Sequence, residues 1–240
     1  MKAAPAVAPA AFDWSGIYIG GHIGGGWATN DISDPSLGLI GVILGVPPIQ
    51  TVDSSGFIGG GQIGWNYQIG RFVLGTEIDG SWADINGNSS TSFSPIPAVF
   101  LINRTLTANT DWTVTSTVRL GYAHDRWMFY SKAGAAWAHT NYASAWTATA
   151  GGVTAAVFNG TGDQTRVGWT VGLGAEWAFW NNWSAKLEYD FMDFGSKTVA
   201  INGTLLPGII NAPISVGAVN DQTISEVKFG LNWRISPLLF

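Results

Sequence analysis

From Asp111 to Tyr122 the chain alternates with period two. Trp112, Val114, Ser116, Val118, Leu120 and Tyr122 fall on one face, and Asp111, Thr113, Thr115, Thr117, Arg119 and Gly121 on the other. That period belongs to a β-strand with two different environments, and the β-branched Thr and Val agree with it. Trp112 and Tyr122 bracket the apolar face ten positions apart, about 33 Å along a strand. An apolar band closed by aromatic residues at both ends is the pattern of one stave in a transmembrane β-barrel.

The same alternation recurs in Phe12 to Trp27, Gly56 to Ile69, Phe72 to Ala83, Trp127 to Trp137, Arg166 to Phe179, Trp183 to Phe194 and Gln222 to Ile235. Short turns are predicted at Gly70-Arg71, His124-Asp125-Arg126 and Trp180-Asn181-Asn182. Long connections are predicted over 29 to 55, between Ala83 and Asp111, over 140 to 164 and over 195 to 221. The fold class is therefore all-β, an eight-stranded antiparallel transmembrane up-and-down β-barrel with short periplasmic turns and four long extracellular loops. The tryptophans sort the same way. Trp14, Trp65, Trp127, Trp177, Trp180, Trp183 and Trp233 lie at the short-turn end, and Trp27, Trp82, Trp112, Trp137 and Trp169 at the long-loop end.

Composition changes the picture in one respect: it removes water as the solvent for the outer face. Of 240 residues only 11% are charged, whereas a soluble domain carries about 25%. No uninterrupted apolar window is long enough for a helical span, so a closed barrel remains the way to satisfy every backbone group in lipid. The absence of cysteine excludes disulfides and thiolate metal sites. The net charge of -5 argues against a nucleic-acid partner.

Alternation also places the charged side chains. Glu77, Asp79, Arg119, Lys132, Glu176, Lys186, Glu188, Asp190, Glu226 and Lys228 all point inward, six acids against four bases. An eight-stranded barrel is just wide enough for side chains to fill it. Two readings stand: a paired polar core, as buried charges require, or a narrow gated ion path through the same network. His22, His124 and His139 are predicted in three separate regions, the lumen, a periplasmic turn and the external rim. None sits beside a nucleophile motif, so neither an enzyme nor a cofactor is expected, and there is no Cys/His cluster for a metal.

Phe12 to Gly21, F-D-W-S-G-I-Y-I-G-G, resembles the opening strand of the alphaproteobacterial outer-membrane proteins of the Omp25/Omp31 group, small barrels related in architecture to the membrane domain of OmpA. Lys228 to Ile235, K-F-G-L-N-W-R-I, is similar to the signal read by the barrel assembly machinery, with Lys228, Gly230, Trp233 and Ile235 in the corresponding places. In the family the chain usually stops with Phe at the position held here by Ile235. This chain runs on through Ser236 and ends in Phe240, which leaves two termini for the machinery to read. The resemblance implies a mature outer-membrane protein after signal-peptide removal, surrounded by lipid and lipopolysaccharide. On this reading residues 12 to 240 form the barrel, and the Ala/Pro-rich residues 1 to 11 are a semi-extended periplasmic tether or a disordered tail.

The connections depart from expectation because three of them carry apolar runs: Leu37 to Ile49, Pro95 to Ile102 and Leu205 to Ile214. Leu39, Ile40, Ile43, Leu44, Phe100, Leu101, Leu205, Leu206 and Ile209 are the candidate contact residues. They either pack on one another as a cap or form an exposed patch of the kind that marks an interaction site. The function read from sequence is a structural and interaction protein whose external loops mediate self-assembly or contact with a partner or surface. The alternative is a narrow solute or ion channel, although a wide pore needs about 16 to 18 strands. Conductance separates the two.

Overall fold

A computed structural model describes residues 12–33, 49–94, 96, 99–206, 209 and 211–235. Eight strands run through it: β1 (Gly16–Ser33), β2 (Ile49–Ile69), β3 (Phe72–Phe93), β4 (Phe100–His124), β5 (Trp127–Ala150), β6 (Val153–Ala178), β7 (Trp183–Leu205) and β8 (Ala212–Ile235). Each pairs antiparallel with its sequence neighbours, and β1 pairs with β8 to close the barrel. Closure leaves no open strand edge in lipid. The periplasmic turns fall where the sequence places them, with Gly70 and Asp125 both at positive φ.

The membrane band follows the alternation. Leu120, Phe129 and Leu187 are 59%, 56% and 57% exposed on the outside, which in a bilayer means they face acyl chains. One residue of the Asp111 to Tyr122 stave departs from its expected face. Asp111 sits at a bulge between the Thr110 and Trp112 pairings, and the extra residue turns it outward, where it accepts a hydrogen bond from the Asn141 amide. Trp14 departs too: it is at the short-turn end but only 3% exposed. It packs inside against Val73, Met128 and Tyr130 as a floor to the lumen.

The largest difference concerns the long connections. The stretches 140 to 164 and 195 to 221 are strands over most of their length, and the β5–β6 hairpin turns on just Gly151-Gly152, both at positive φ. Residues 49–55, 84–93 and 100–110 are likewise strand. Beyond the outer aromatic belt the barrel wall continues, and its polarity inverts. Ile32, Val52, Leu106, Val199 and Ile201 point inward into one apolar cluster, while Asp31, Thr51 and Asp53 point out. The reason is solvent: outside the bilayer the wall faces water, so the apolar side chains move to the inside. The barrel is therefore filled in layers. A floor around Trp14 is followed by a charged layer, an apolar layer of Ile58, Ile85, Met192 and Ile224, and the upper apolar cluster, with polar side chains between the last two.

Candidate functional site

The charged layer gathers all ten lumen residues, none more than 3% exposed. The acids come from β3, β6, β7 and β8 and the bases from β4, β5, β7 and β8. Lys228 Nζ lies 2.7 Å from Asp190, 2.9 Å from Asp79, 3.4 Å from Glu226 and 3.7 Å from Glu188. Lys132 reaches Glu188 at 2.7 Å, Asp190 at 3.0 Å and Glu77 at 3.7 Å. Lys186 bridges Glu77 and Glu188 at 3.3 and 3.5 Å. Arg119 takes Glu77 at 3.3 Å and Glu176 at 3.1 Å, donates to the Tyr18 hydroxyl and lies 3.9 Å over the Tyr130 ring.

Several of these pairs join strands that are not neighbours in the wall, such as Lys186 of β7 to Glu77 of β3 and Arg119 of β4 to Glu176 of β6, so they lace the barrel across its own bore. Neutral donors complete the carboxylates. The Tyr130 hydroxyl donates to Glu188 at 2.6 Å, the Asn232 amide to Glu176 at 2.8 Å and the Thr113 hydroxyl to Glu226 at 2.8 Å. His22 is held by Gln62 at 2.7 Å and Ser81 at 2.8 Å, beside Asp79 at 3.3 Å. His124 is exposed in its turn next to Asp125, and His139 stacks on Trp112 at the outer rim. Among the described residues no group of three or more His, Cys, Asp or Glu is placed to hold a metal ion.

Four cations, each tied to two or more carboxylates, cross the bore between apolar clusters above and below, an arrangement that opposes a continuous water column. Planar-bilayer recordings of the wild-type protein are therefore expected to stay near baseline. Large, steady conductance would show that the network opens.

Above the outer belt the wall has a weak seam between β6 and β7. The β6–β7 ladder is interrupted between the Thr161–Asn202 and Trp169–Asp193 pairs. Arg166 fills the inside of that gap. Its guanidinium donates to the carbonyls of Gly195 at 3.2 Å and Asn220 at 3.1 Å and to the Gln164 side chain at 3.1 Å. It is fully buried. Burial lowers its pKa from the ordinary arginine value, against partial compensation from Tyr142 and Asp221. The sequence pattern treats Arg166 only as the first residue of a stave, because nothing local shows that a ladder fails beside it.

The candidate contact residues divide. Phe100 and Leu101 are exposed and Ile209 is 79% exposed, together with Ile96, Val99 and Val153. Leu205 instead packs on the upper apolar cluster, and Leu206 is half-buried in the β7–β8 turn at positive φ. The tips touch one another: Gly151 N–H bonds the Val99 carbonyl at 2.9 Å, and Leu206 N–H the Val157 carbonyl at 2.8 Å. Leu39, Ile40, Ile43 and Leu44 lie outside the described residues, as do the tail 1–11 and Phe240. Of the assembly-signal residues, Lys228 points inward, Gly230 lies opposite His22, and Trp233 and Ile235 face outward at the closing seam with β1.

The family model described as outer membrane protein beta-barrel domain matches residues 1–234. The 31 kDa outer-membrane immunogenic protein of Brucella melitensis is 32% identical over 96% of this chain and 88% of its own length. The 25 kDa outer-membrane immunogenic protein of Brucella abortus is 25% identical over 84% of this chain and 75% of its own. Among solved structures, the outer membrane protein OprG of Pseudomonas aeruginosa aligns over 94% of this chain and 99% of its own, with 13% identity and a TM-score of 0.44.

Proposed function

Since the chain belongs to the outer membrane protein beta-barrel family, and so sits in the bacterial outer membrane, we propose that it is a structural and surface-contact protein. On this reading the barrel is the anchor and its projecting tips make contacts between copies or with another protein or surface. The observation that carries the proposal is the set of exposed apolar side chains at the tips, Ile96, Val99, Phe100, Leu101, Val153 and Ile209. Phe100 is twelve residues along β4 from the belt residue Trp112, about 40 Å of strand, so lipid cannot cover it. Apolar side chains gathered where water is the only solvent mark a contact surface, and burying one such side chain contributes about 1.5–3 kcal/mol. The curated relatives are named for being immunogenic, which suits a protein that presents its outer end to the surroundings. In the same reading lipid and lipopolysaccharide surround the wall, and the barrel assembly machinery handles the chain during insertion through its last strand.

The test is the combined variant Phe100→Ser, Leu101→Ser, Val153→Ser and Ile209→Ser. It is expected to keep the heat-resistant electrophoretic shift of a folded barrel while losing the higher assemblies, or the binding to surfaces, that the wild type is expected to show by light scattering and electron microscopy. A wild-type protein that stays monomeric at high concentration and binds no surface would overturn the proposal.

A further inference from the structure

We infer that the outer wall over the β6–β7 seam is a binding site for a short oligosaccharide. A groove of about 610 Å³ opens there, lined from β4 to β7 by Asn109, Asn141, Asp163, Gln164, Thr198 and Asn202 among others. Its volume lies within the roughly 300–1,000 Å³ of small-molecule sites.

The lining selects the ligand class. Four side-chain amides and the hydroxyls of Thr107, Thr161 and Thr198 line it, groups that donate and accept as sugar hydroxyls do. Asn109 and Asn202 are the amides not already held, since Asn141 donates to Asp111 and Gln164 is tied to Arg166 and Thr198. No Lys or Arg lines the groove, and Asp163 stands exposed on its lip, so a phosphate or carboxylate would meet repulsion and no counter-charge. Amides and hydroxyls this dense likewise exclude a hydrocarbon, which could not satisfy them.

One further observation shows unmet hydrogen-bonding capacity at the groove. The Asn109 side-chain oxygen is buried without a partner. The β6–β7 register is also irregular beside it, between the Thr161–Asn202 and Trp169–Asp193 pairs. There the Gln164 side-chain amide donates to the Thr198 carbonyl of β7 at 3.4 Å. Behind the seam Arg166 ties β6 to Gly195 and Asn220, which gives the groove a floor.

Height points the same way. Asn141 is four residues along β5 from the belt residue Trp137, about 13 Å of strand, the level at which saccharide headgroups stand above an outer leaflet. The shared chemistry has two sources, the sugar of a glycolipid surrounding the barrel or a free oligosaccharide.

The experiment uses the full chain, freed of copurified glycolipid. One arm titrates a neutral, acyl-free oligosaccharide cut from the O-polysaccharide of lipopolysaccharide, read by calorimetry and saturation-transfer NMR. The second places the protein in nanodiscs with intact lipopolysaccharide or with lipid A alone. A third titrates inorganic phosphate. Saccharide binding is expected in the first arm, or only with intact lipopolysaccharide in the second if the acyl anchor is required, and no response to phosphate. The paired variant Asn109→Leu with Asn141→Leu should weaken binding at least tenfold while the electrophoretic heat shift is retained. Should that pair disturb folding, Thr198→Val with Asn202→Leu on the opposite lip makes the same test. Absence of saccharide binding in both arms, binding unchanged in a folded variant, or competition by phosphate would overturn the inference.

Discussion

Replacing Lys228 with Met is expected to remove the heat-resistant fold, or to lower its unfolding midpoint more than any other single change in the lumen. The ammonium of Lys228 stands within 3.4 Å of Asp79, Asp190 and Glu226, and Asp190 and Glu226 are direct cross-strand neighbours. The lumen already holds Glu77, Asp79, Glu176, Glu188, Asp190 and Glu226 against Arg119, Lys132, Lys186 and Lys228. Carboxylates therefore exceed cations before anything is removed. Truncating one partner of a buried ion pair costs about 3–5 kcal/mol, because the other charge stays behind undersolvated, and here three carboxylates lose a partner, of which Asp190 keeps Lys132 at 3.0 Å. The opposite substitution separates charge balance from mere disturbance. Glu226→Gln keeps the shape and the hydrogen bond from Thr113 and takes away one excess negative charge, so it should change stability by less than about 1 kcal/mol. Unfolding in denaturant followed by tryptophan fluorescence, with the electrophoretic heat shift alongside, gives both values. Equal losses in the two variants would mean that packing, not charge, governs the layer.

The layer's residues are legible from alternation, but their partners are not. Period two fixes that Glu77 and Lys186 face inward; that they meet at 3.3 Å follows from closing eight strands on themselves, which no local window records. The same is true of Tyr18 and Tyr130, which flank Arg119. The upper barrel is hidden for a different reason. There the apolar positions change sides, as at Val199 and Ile201 with outward Thr198, Ala200 and Asn202 alternating with them, and bulges near Asp111 and Gly195 shift the phase of β4 and β7. A reading tuned to one polarity therefore takes these stretches for loops. An alternation of either sign would find them. Leu205 illustrates the consequence: its apolar character reads as a surface signal in a loop, whereas in a strand above the membrane it packs on the inner cluster.

The narrow bore that brings these charges together depends on small residues in the wall, and Gly60→Val is expected to prevent folding altogether. Gly60 sits in β2 opposite His22 of β1 and Ser81 of β3. A Cβ at this position would collide with the Gly80 carbonyl and come within 2.8 Å of the Ser81 Cα. Both are backbone atoms that cannot rotate away, so β2 and β3 would have to separate and lose their ladder. That separation would also pull apart the His22, Gln62 and Ser81 contacts, which close at 2.7 and 2.8 Å. Gly21, one residue from His22 but on the lipid face, is the matched control, since its Cβ would find the Gly60 carbonyl at an ordinary 3.6 Å. Gly21→Ala should fold with nearly wild-type yield. Refolding into detergent, scored by the electrophoretic heat shift, compares the two directly. If Gly60→Val refolds as well as Gly21→Ala, the wall tolerates a wider curvature and the lumen is not held closed by its glycines. A bore able to widen in that way would leave room for water around Lys132 and Lys228, and the expectation of baseline conductance would fail with it.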